Sequence, residues 1–521
     1  MAPSSTSATF IHAQASDQVA GRQIVISRAS ILGGGSSINF MMYSRPQAID
    51  FDDFQTDGWG QRDMIPIFKR LETYHAQDGV SNNDTHGAAG PIQISSGTWP
   101  KTAFADDFLQ AAANRGFPMM DDMQDFKSVQ GYERMQRYIA PNGIRSDAAH
   151  GYIHPILQNG KDSNLHVLLH NRVSRIIFDT DKKATGLEYV STSRESRSDH
   201  LPKTVKAKKL VVLSCGALET PALLERSGLG RRDHLEQLGV SVISDLPGVG
   251  ENLQDHPFIV YPYKSTLNED ETLDHVLRNP AQVPDLMAER NPILGTNGIE
   301  LFGRLRMSQS EINESRSDAL KDMWNREYDP RSSKPLMLSA SAALFIGNPA
   351  EVPPGQYFTI GNLLPYPLSR GSVHASSKDV DGALELRTGF FEGRGHVDLA
   401  AHIWAYKVTR EISRRLSCFA GELEAGHPKF PHGSKAEVTA HPVAGEKLAD
   451  IEYTPEDDEA IEAFIRSKIQ TAWHSLGSAG MRPRDSDGVV DKNLNVYGVS
   501  GLKIVGKYQS PHDCTVMVRN P

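Results

Sequence analysis

The glycine-rich segment at residues 31–45, ILGGGSSINFMMYSR, constrains the fold of this chain more than any other stretch. Its three consecutive glycines at 33–35 let the backbone adopt positive φ and approach a ligand closely. The side chains of Ser36, Ser37 and Asn39 add short-range hydrogen bonds at the same turn. Successive exposed N–H groups in such a turn can bind a phosphate. Glycines alone are equally consistent with a tight turn that leads into a buried helix or strand.

The composition is that of a globular protein and excludes several functional classes. The chain has 521 residues, of which 39% are hydrophobic and 23% charged, which is long enough for two or three packed domains. With 55 basic and 64 acidic residues its net charge is −9, and no basic cluster indicates a nucleic-acid partner. Cys215, Cys418 and Cys514 lack zinc-ligand spacing and favour a reducing compartment over a disulfide framework. No His/Glu cluster has metal-ligand spacing, so we predict no metal site.

Targeting signals are not evident in the sequence. The start, MAPSSTSATFIHAQ, has neither a positively charged nor an apolar segment of a signal peptide. No run approaches the roughly 18 apolar residues of a membrane helix. The final RNP differs from a peroxisomal tripeptide of the SKL kind. We therefore expect an intracellular protein without a membrane partner.

Local patterns predict secondary structure in several segments. A strand-to-helix unit is expected at 209–230, because a short apolar run precedes Gly216 and apolar residues then recur at helical spacing. The helix N-terminus after that glycine suits an anion, although a purely structural βα crossover fits equally well. The remaining predictions are helices from residue 64 onward and at 103–115, strands at 165–169, 173–178 and 184–190, a loop at 246–256, and an exposed helix or loop at 308–327.

The segment at 450–481 contains the candidate catalytic residue. Thr454 is a suitable N-cap, and Pro455 occupies the first position of a predicted helix with acidic residues in its first turn. We expect this helix to deliver Trp473 and His474 into a glycine-containing turn. A histidine is a natural general base near neutral pH, because its reference pKa is about 6.5. A lone histidine after a tryptophan is more often a structural, hydrogen-bonded residue.

Four segments in the same order resemble the signatures of the glucose–methanol–choline (GMC) family of FAD-dependent oxidoreductases. They are ILGGGSSINFMMYSR, KLVVLSCGALETPALLERSGLG, LPGVGENLQDH, and WHSLGSAGM followed by GVVDKNLNVYGVSGLKIV. Within the family, TNGIE at 296–300 and YPLSRG at 366–371 are similar to fungal alcohol (methanol) oxidases. The methanol oxidases that the chain resembles are peroxisomal, so cytoplasm and peroxisome both remain open.

This resemblance implies a fold and a division into domains. The expected fold is α/β: a GMC-type, Rossmann-like FAD-binding domain, here truncated, and an α+β substrate domain of antiparallel sheet and helices. The FAD-binding domain would be discontinuous and comprise residues 1–260 with 450–521, and the substrate domain would comprise 261–449.

The resemblance also implies site residues and a reaction. FAD would contact Gly34, Gly35, Ser36, Ser37, Asn39 and the backbone of Val173. His474 would take the hydroxyl proton of a primary alcohol while hydride passes to the flavin, which oxygen or another acceptor reoxidises. His256 lies in a family block and is expected near the substrate. Sequence leaves open which alcohol is used, whether the chain is an oxidase or a dehydrogenase, and its oligomeric state.

Both ends depart from the family pattern. The family's GxGxxG turn does not precede residue 31, Gly506 stands where an aspartate is expected, and the closing helix is not evident. Asn520 has a plausible spacing from His474 for a second catalytic residue but is not assigned. Because residues 506–508 can be encoded by a splice-donor-like GGTAAGTAT, one hypothesis is an incomplete gene model or a decayed gene. The alternative function is accordingly a flavin-free, inactive remnant.

Overall fold

The structure is a computed structural model that describes residues 5–76, 84–99, 102–159, 164–192, 201–328, 333–439 and 448–506. Cys514 and Asn520 lie outside the described residues. The strands are β1 Ala8–His12, β2 Val25–Ala29, β3 Glu72–Tyr74, β4 Ile92–Ile94, β5 Gly131–Arg134, β6 Asn171–Phe178, β7 Ala184–Ser191, β8 Lys203–Lys206, β9 Val211–Leu213, β10 Leu229–Gly230, β11 Ser244–Asp245, β12 Pro257–Ser265, β13 Ile299–Leu305, β14 Met337–Ala342, β15 Gln356–Leu363, β16 Ser372–Ala375, β17 Leu384–Arg387, β18 Phe419–Glu422, β19 Gln470–Thr471 and β20 Leu502–Ile504. The α-helices are α1 Ala48–Asp52, α2 Gln61–Leu71, α3 Ala103–Ala113, α4 His154–Gln158, α5 Gly216–Arg226, α6 Arg232–Gln237, α7 Asp274–Arg278, α8 Val283–Ala288, α9 Gln309–Glu314, α10 Asp318–Glu327, α11 His396–Ser413 and α12 Pro455–Lys468.

A seven-stranded sheet forms the larger layer of the molecule. Its strands run in the order β18-β12-β15-β14-β13-β5, with β19 paired to the start of β12, and every pairing is antiparallel. Every residue of β13 is buried, so both faces of the sheet are covered at that strand. Helix α11 packs against β14, β15 and α12. The rings of Tyr263 on β12 and Phe358 on β15 stack with 4.8 Å between centroids and belong to the buried core around this sheet.

A smaller α/β layer surrounds the predicted strand-to-helix unit. Strands β9 and β20 pair in parallel, and α5 follows β9 and begins at Gly216, whose φ is +83°. Strands β6, β7 and β8 form an antiparallel sheet, and β6 packs against α5. The prediction of a strand-to-helix unit at 209–230 is therefore confirmed. The fold class is mixed α/β, as expected.

Most other predicted elements are present. The strands predicted at 173–178 and 184–190 correspond to β6 and β7, the helix predicted at 103–115 is α3, and residues 246–256 contain no regular element. Thr454 caps α12 as predicted: its hydroxyl accepts the N–H of Asp457, and the Asp457 carboxylate accepts the N–H of Thr454, which is a capping box.

Three structural predictions are wrong, one of them only in part. Residues 165–169 form no strand, and His170, with a φ of +55°, separates them from β6. The segment 308–327 forms the helices α9 and α10, which agrees with one of the two predicted alternatives, but it is not exposed throughout, because α10 buries Leu320, Met323 and Trp324. The third error concerns the route to His474. Helix α12 ends at Lys468, and the short strand β19 intervenes.

No helix in the described part of the chain combines the length and apolar character needed to span a membrane.

Candidate active site

The glycine segment forms a 3₁₀ turn, Gly34–Ser37, preceded by Gly33 at φ +86°. A Cβ at Gly33 would collide with the Ser37 hydroxyl and approach Ala149, so that position requires glycine. At Gly34 and Gly35, by contrast, a Cβ would meet no atom within 4 Å. The bare backbone of these two residues therefore faces open space, where a ligand can approach it.

The polar side chains of this turn are engaged within the protein. The Ser36 hydroxyl donates to the Gly33 carbonyl at 2.6 Å and accepts the Ala148 N–H at 3.0 Å. The Ser37 hydroxyl lies 2.9 Å from the Leu32 carbonyl and 2.9 Å from the Asp147 carboxylate. These contacts fix the turn. A ligand would therefore bind to the exposed backbone of the turn rather than to these side chains.

Arg145 and Asp147 support the turn from a neighbouring segment and were missed by sequence analysis. Arg145 donates to the Asn39 side-chain oxygen at 2.8 Å, to the Asn39 carbonyl at 2.9 Å and to the Ser36 carbonyl at 3.1 Å. Burial acts to raise the pKa of Asp147, but hydrogen bonds from the backbone and ring of His150 and from Ser37 outweigh it and lower that pKa. Asp147 is thus held as a carboxylate. Arg145 and Asp147 are about a hundred residues away from the turn in the sequence, so only the folded structure shows that they support it.

Two histidines from distant parts of the sequence meet at the edge of the large sheet. Strand β19 pairs with the beginning of β12, so the residues that flank this ladder, His256 and His474, lie side by side. Their Nδ1 atoms are 2.9 Å apart, and the rings are nearly perpendicular with centroids 5.1 Å apart. At this distance one Nδ1 carries a proton and the other accepts it, so the tautomers of the two rings are coupled. His256 is fully buried, and His474 is partly exposed.

Asp255 fixes the backbone of the His474 segment. One carboxylate oxygen accepts the backbone N–H of His474 at 3.1 Å, and the other accepts the Ser475 hydroxyl at 2.8 Å. The carboxylate is almost completely buried. The preceding residue, Trp473, has a φ of +58°, which is uncommon for a bulky side chain and is maintained by its surroundings. The LQDH sequence, in which Asp255 directly precedes His256, was the available signal for this residue.

The glycine segment and the histidine pair belong to one site. Phe40 follows the glycine turn, and its ring lies 6.0 Å from that of Trp473 between centroids. The Phe40 carbonyl accepts a hydrogen bond from the side-chain amide of Asn297, which lies in the TNGIE segment. Phe40 and Trp473 are 54% and 40% exposed, so an aromatic surface is accessible beside His474.

Val173 lies on β6, which packs against α5, rather than in the glycine segment. The start of α5 and the glycine segment are connected, because Arg28 at the end of β2 forms an ion pair with Glu219 in the first turn of α5. A Cβ at Gly216, the first residue of α5, would meet no atom within 4 Å. The backbone N–H of Ile176 on β6 donates to the Ser227 hydroxyl directly after α5, so this part of β6 lies at the C-terminal end of the helix.

The residues present fit an FAD molecule. Open backbone at Gly34, Gly35 and Gly216 suits close approach of a diphosphate, and α5 begins without a side-chain hydrogen bond from its N-cap residue. Exposed apolar side chains at Val212 and Phe40 offer surface for flat aromatic rings.

Comparison with known proteins identifies one family. Models described as GMC oxidoreductase match residues 7–258 and 367–512. Alcohol oxidase 1 of Komagataella phaffii is 34% identical, and alcohol oxidase of Pichia angusta is 35% identical; each match covers 96% of this chain and 82% of the relative. A solved formate oxidase variant from Aspergillus oryzae shares the fold, with a TM-score of 0.78 at 22% identity over 98% of this chain and 85% of that one. This chain belongs to the GMC oxidoreductases, a family of FAD-binding flavoproteins.

Proposed function

We propose that this chain oxidises a primary alcohol to an aldehyde with FAD, and that oxygen or another acceptor reoxidises the flavin. The observation that carries the proposal is the His256–His474 pair, which Asp255 holds beside the open glycine segment. The 34–35% identity to alcohol oxidases over nearly the whole chain supports an alcohol as the substrate. Bound FAD supplies the hydride acceptor.

His474 takes the hydroxyl proton in this proposal. Its Nδ1 is occupied by the contact with His256, which leaves Nε2 for the substrate. For Nε2 to accept a proton, Nδ1 must carry the hydrogen and donate it to Nδ1 of His256. When His474 becomes positively charged, that hydrogen bond becomes charge-assisted and stabilises the imidazolium. His256 therefore acts as a positioning residue that fixes the tautomer of the base.

The cofactor would lie along the open backbone of the glycine turn. We propose that Gly34, Gly35, Ser36, Ser37 and Asn39 bind FAD through their backbone, with Arg145 and Asp147 fixing the turn, and that the backbone of Val173 contributes beside α5.

We also propose the division into an FAD-binding domain of residues 1–260 with 450–521 and a substrate domain of 261–449. Its support is a buried cluster in which Val211, Leu224, Val490 and Leu502 pack together, so the segment after 479 returns to the first part of the chain. Helix α12, which lies within residues 450–521, contributes Ile461 and Ile465 to the cluster around the large sheet, so it packs across the boundary between the two proposed domains.

Absorbance spectroscopy of the purified protein tests the function. We expect stoichiometric flavin that an alcohol bleaches without oxygen, and a fall of about 10²–10⁴-fold in the bleaching rate for His474→Ala. The matched control is His432→Ala, which removes a fully exposed histidine paired with Glu437. Unchanged bleaching by His474→Ala at full flavin content would exclude His474 as the base. A folded, colourless protein would instead support the flavin-free remnant, which the family matches do not favour.

We propose an intracellular location, cytoplasmic or peroxisomal, which imaging of a fluorescently tagged chain checks. Light scattering during chromatography determines the oligomeric state.

A further inference from the structure

A second cluster of ionisable side chains lies where α5, α6 and β16 meet. Glu225 is in the last turn of α5 and is only 1% exposed, His234 is in α6, and His374 is in β16. None of the three takes part in the proposed oxidation. They come from sequence positions 225, 234 and 374, so no local spacing could reveal them.

The three side chains point at one another. One Glu225 carboxylate oxygen is 2.7 Å from Nδ1 of His374, and the other is 3.5 Å from Nε2 of His234. One potential ligand atom from each residue lies within 4.8 Å of the other two. Four ligands at zinc distances of about 2.0–2.2 Å in tetrahedral geometry are about 3.4 Å apart. The contacts of 2.7 and 3.5 Å, made by the two different Glu225 oxygens, lie on either side of that value, and side-chain rotation on binding would bring separations of up to 4.8 Å within coordination range.

The surroundings orient two of the ligands in the manner of a metal site. The second ring nitrogen of His374, Nε2, faces the Glu251 carboxylate at 3.4 Å. A metal-binding histidine typically donates its other N–H to a carboxylate, which fixes its tautomer and orientation. The Ala375 N–H donates to Glu225 at 2.7 Å and orients that carboxylate. Glu251 would thus support His374 from outside the ligand set.

Burial is also suited to an ion. The Glu225 carboxylate is buried, whereas the side chains of His234 and His374 retain 12% and 13% exposure. The two imidazoles therefore lie between a buried anionic ligand and solvent, which leaves a position for water as a fourth ligand. Imidazole nitrogen and carboxylate oxygen are ligands that favour zinc and its neighbours in the first transition series.

We propose that Glu225, His234 and His374 bind one Zn²⁺-type divalent ion that links α5, α6 and the β16 strand. The site is distinct in its residues from the His256–His474 pair. A bound ion would join three elements that are distant in sequence and would therefore stabilise this part of the fold.

Equilibrium dialysis of the full-length protein against Zn²⁺ tests this site, after treatment with a chelator. We expect one ion per chain, removable by chelator. His374→Ala and Glu225→Gln should each weaken binding more than Glu251→Gln, for which a loss of about 10–100-fold is expected because Glu251 acts through His374. The control His432→Ala removes a histidine that pairs with a single glutamate on the surface and should leave binding unchanged.

Cobalt substitution checks the coordination independently of stability. Co²⁺ bound in this site should give the visible absorption bands of a four-coordinate ion, and His234→Gln should abolish these bands. This variant should still fold, because His234 is less buried than Glu225. Two results would overturn the proposal. One is the absence of any bound Zn²⁺ or Co²⁺ in the unmodified chain. The other is equal binding by the His374→Ala and His432→Ala variants. Either would mean that the cluster is held only by hydrogen bonds and charge.

Discussion

Replacing Asp255 by alanine should separate the support of the proposed base, His474, from the base itself. The carboxylate accepts the His474 N–H and the Ser475 hydroxyl, and it is buried. A hydrogen bond to a charged group contributes about 1.5–3 kcal/mol, so the loss of both should lower the free energy of unfolding by at least about 3 kcal/mol. The uncommon φ of Trp473 can then relax, which moves the adjacent His474.

The catalytic consequence follows from that movement. A displacement of about 1 Å at a reacting group can cost about 100-fold in rate. We therefore expect anaerobic flavin reduction by an alcohol in Asp255→Ala to slow by about 100-fold at unchanged flavin content. Stopped-flow absorbance measures the rate, and urea unfolding measures the stability.

Asp398 provides the matched control for this experiment. It is a buried aspartate whose carboxylate accepts the backbone N–H groups of Leu368 and Ser369, and it makes no contact with His256 or His474 among the described interactions. Asp398→Ala should lower stability to a similar extent while the reduction rate of the folded fraction stays within a few-fold of the unmodified protein. If the two variants slow reduction equally, or if Asp255→Ala reduces at the normal rate, Asp255 does not position His474.

Three further predictions concern pH, the glycine turn and its arginine. Burial lowers the pKa of His402 to about 3, so the unfolded chain takes up a proton below about pH 6.5 that the folded chain does not. Acidification from pH 7.5 to 5 should thus lower the free energy of unfolding by about 2 kcal/mol through His402. In urea unfolding, the decrease in the free energy of unfolding over this pH range should therefore be about 2 kcal/mol smaller for His402→Leu than for the unmodified protein. Gly33→Ala should release flavin and lower the melting temperature more than Gly116→Ala, because both residues have φ near +85° but only at Gly33 would the new Cβ collide with neighbours. Arg145→Met removes three hydrogen bonds to the turn and should speed flavin dissociation at least about tenfold, measured by fluorescence; an unchanged rate would contradict its supporting role.

The predictions that the structure confirms rest on local signals. The cap of α12 is encoded within four residues, because Thr454, Pro455 and Asp457 each favour a helix start at their own position. The strand-to-helix unit at 209–230 is likewise a contiguous pattern. Residues 165–169 have the composition of a strand, but the extended backbone of β6 does not continue into them, because the chain turns at His170. Apolar composition alone carried no information about that turn.

The geometry of the candidate site was not accessible from such patterns, because it depends on strand pairing that brings together two histidines 218 residues apart in the sequence. The sequence placed His474 after a helix, but the helix ends at Lys468, and it is the pairing of β19 with β12 that brings His474 to His256. His256 directly precedes the paired residues of β12, and His474 follows β19 by three residues, so the register of the pairing and the turn at Trp473 together set the separation of the two rings. The buried carboxylate of Asp255 then joins the same two segments a second time. A histidine fixed both by a sheet edge and by a charged side chain has less freedom than one at the end of a helix, so we infer that the sheet, rather than α12, determines the position of the proposed base.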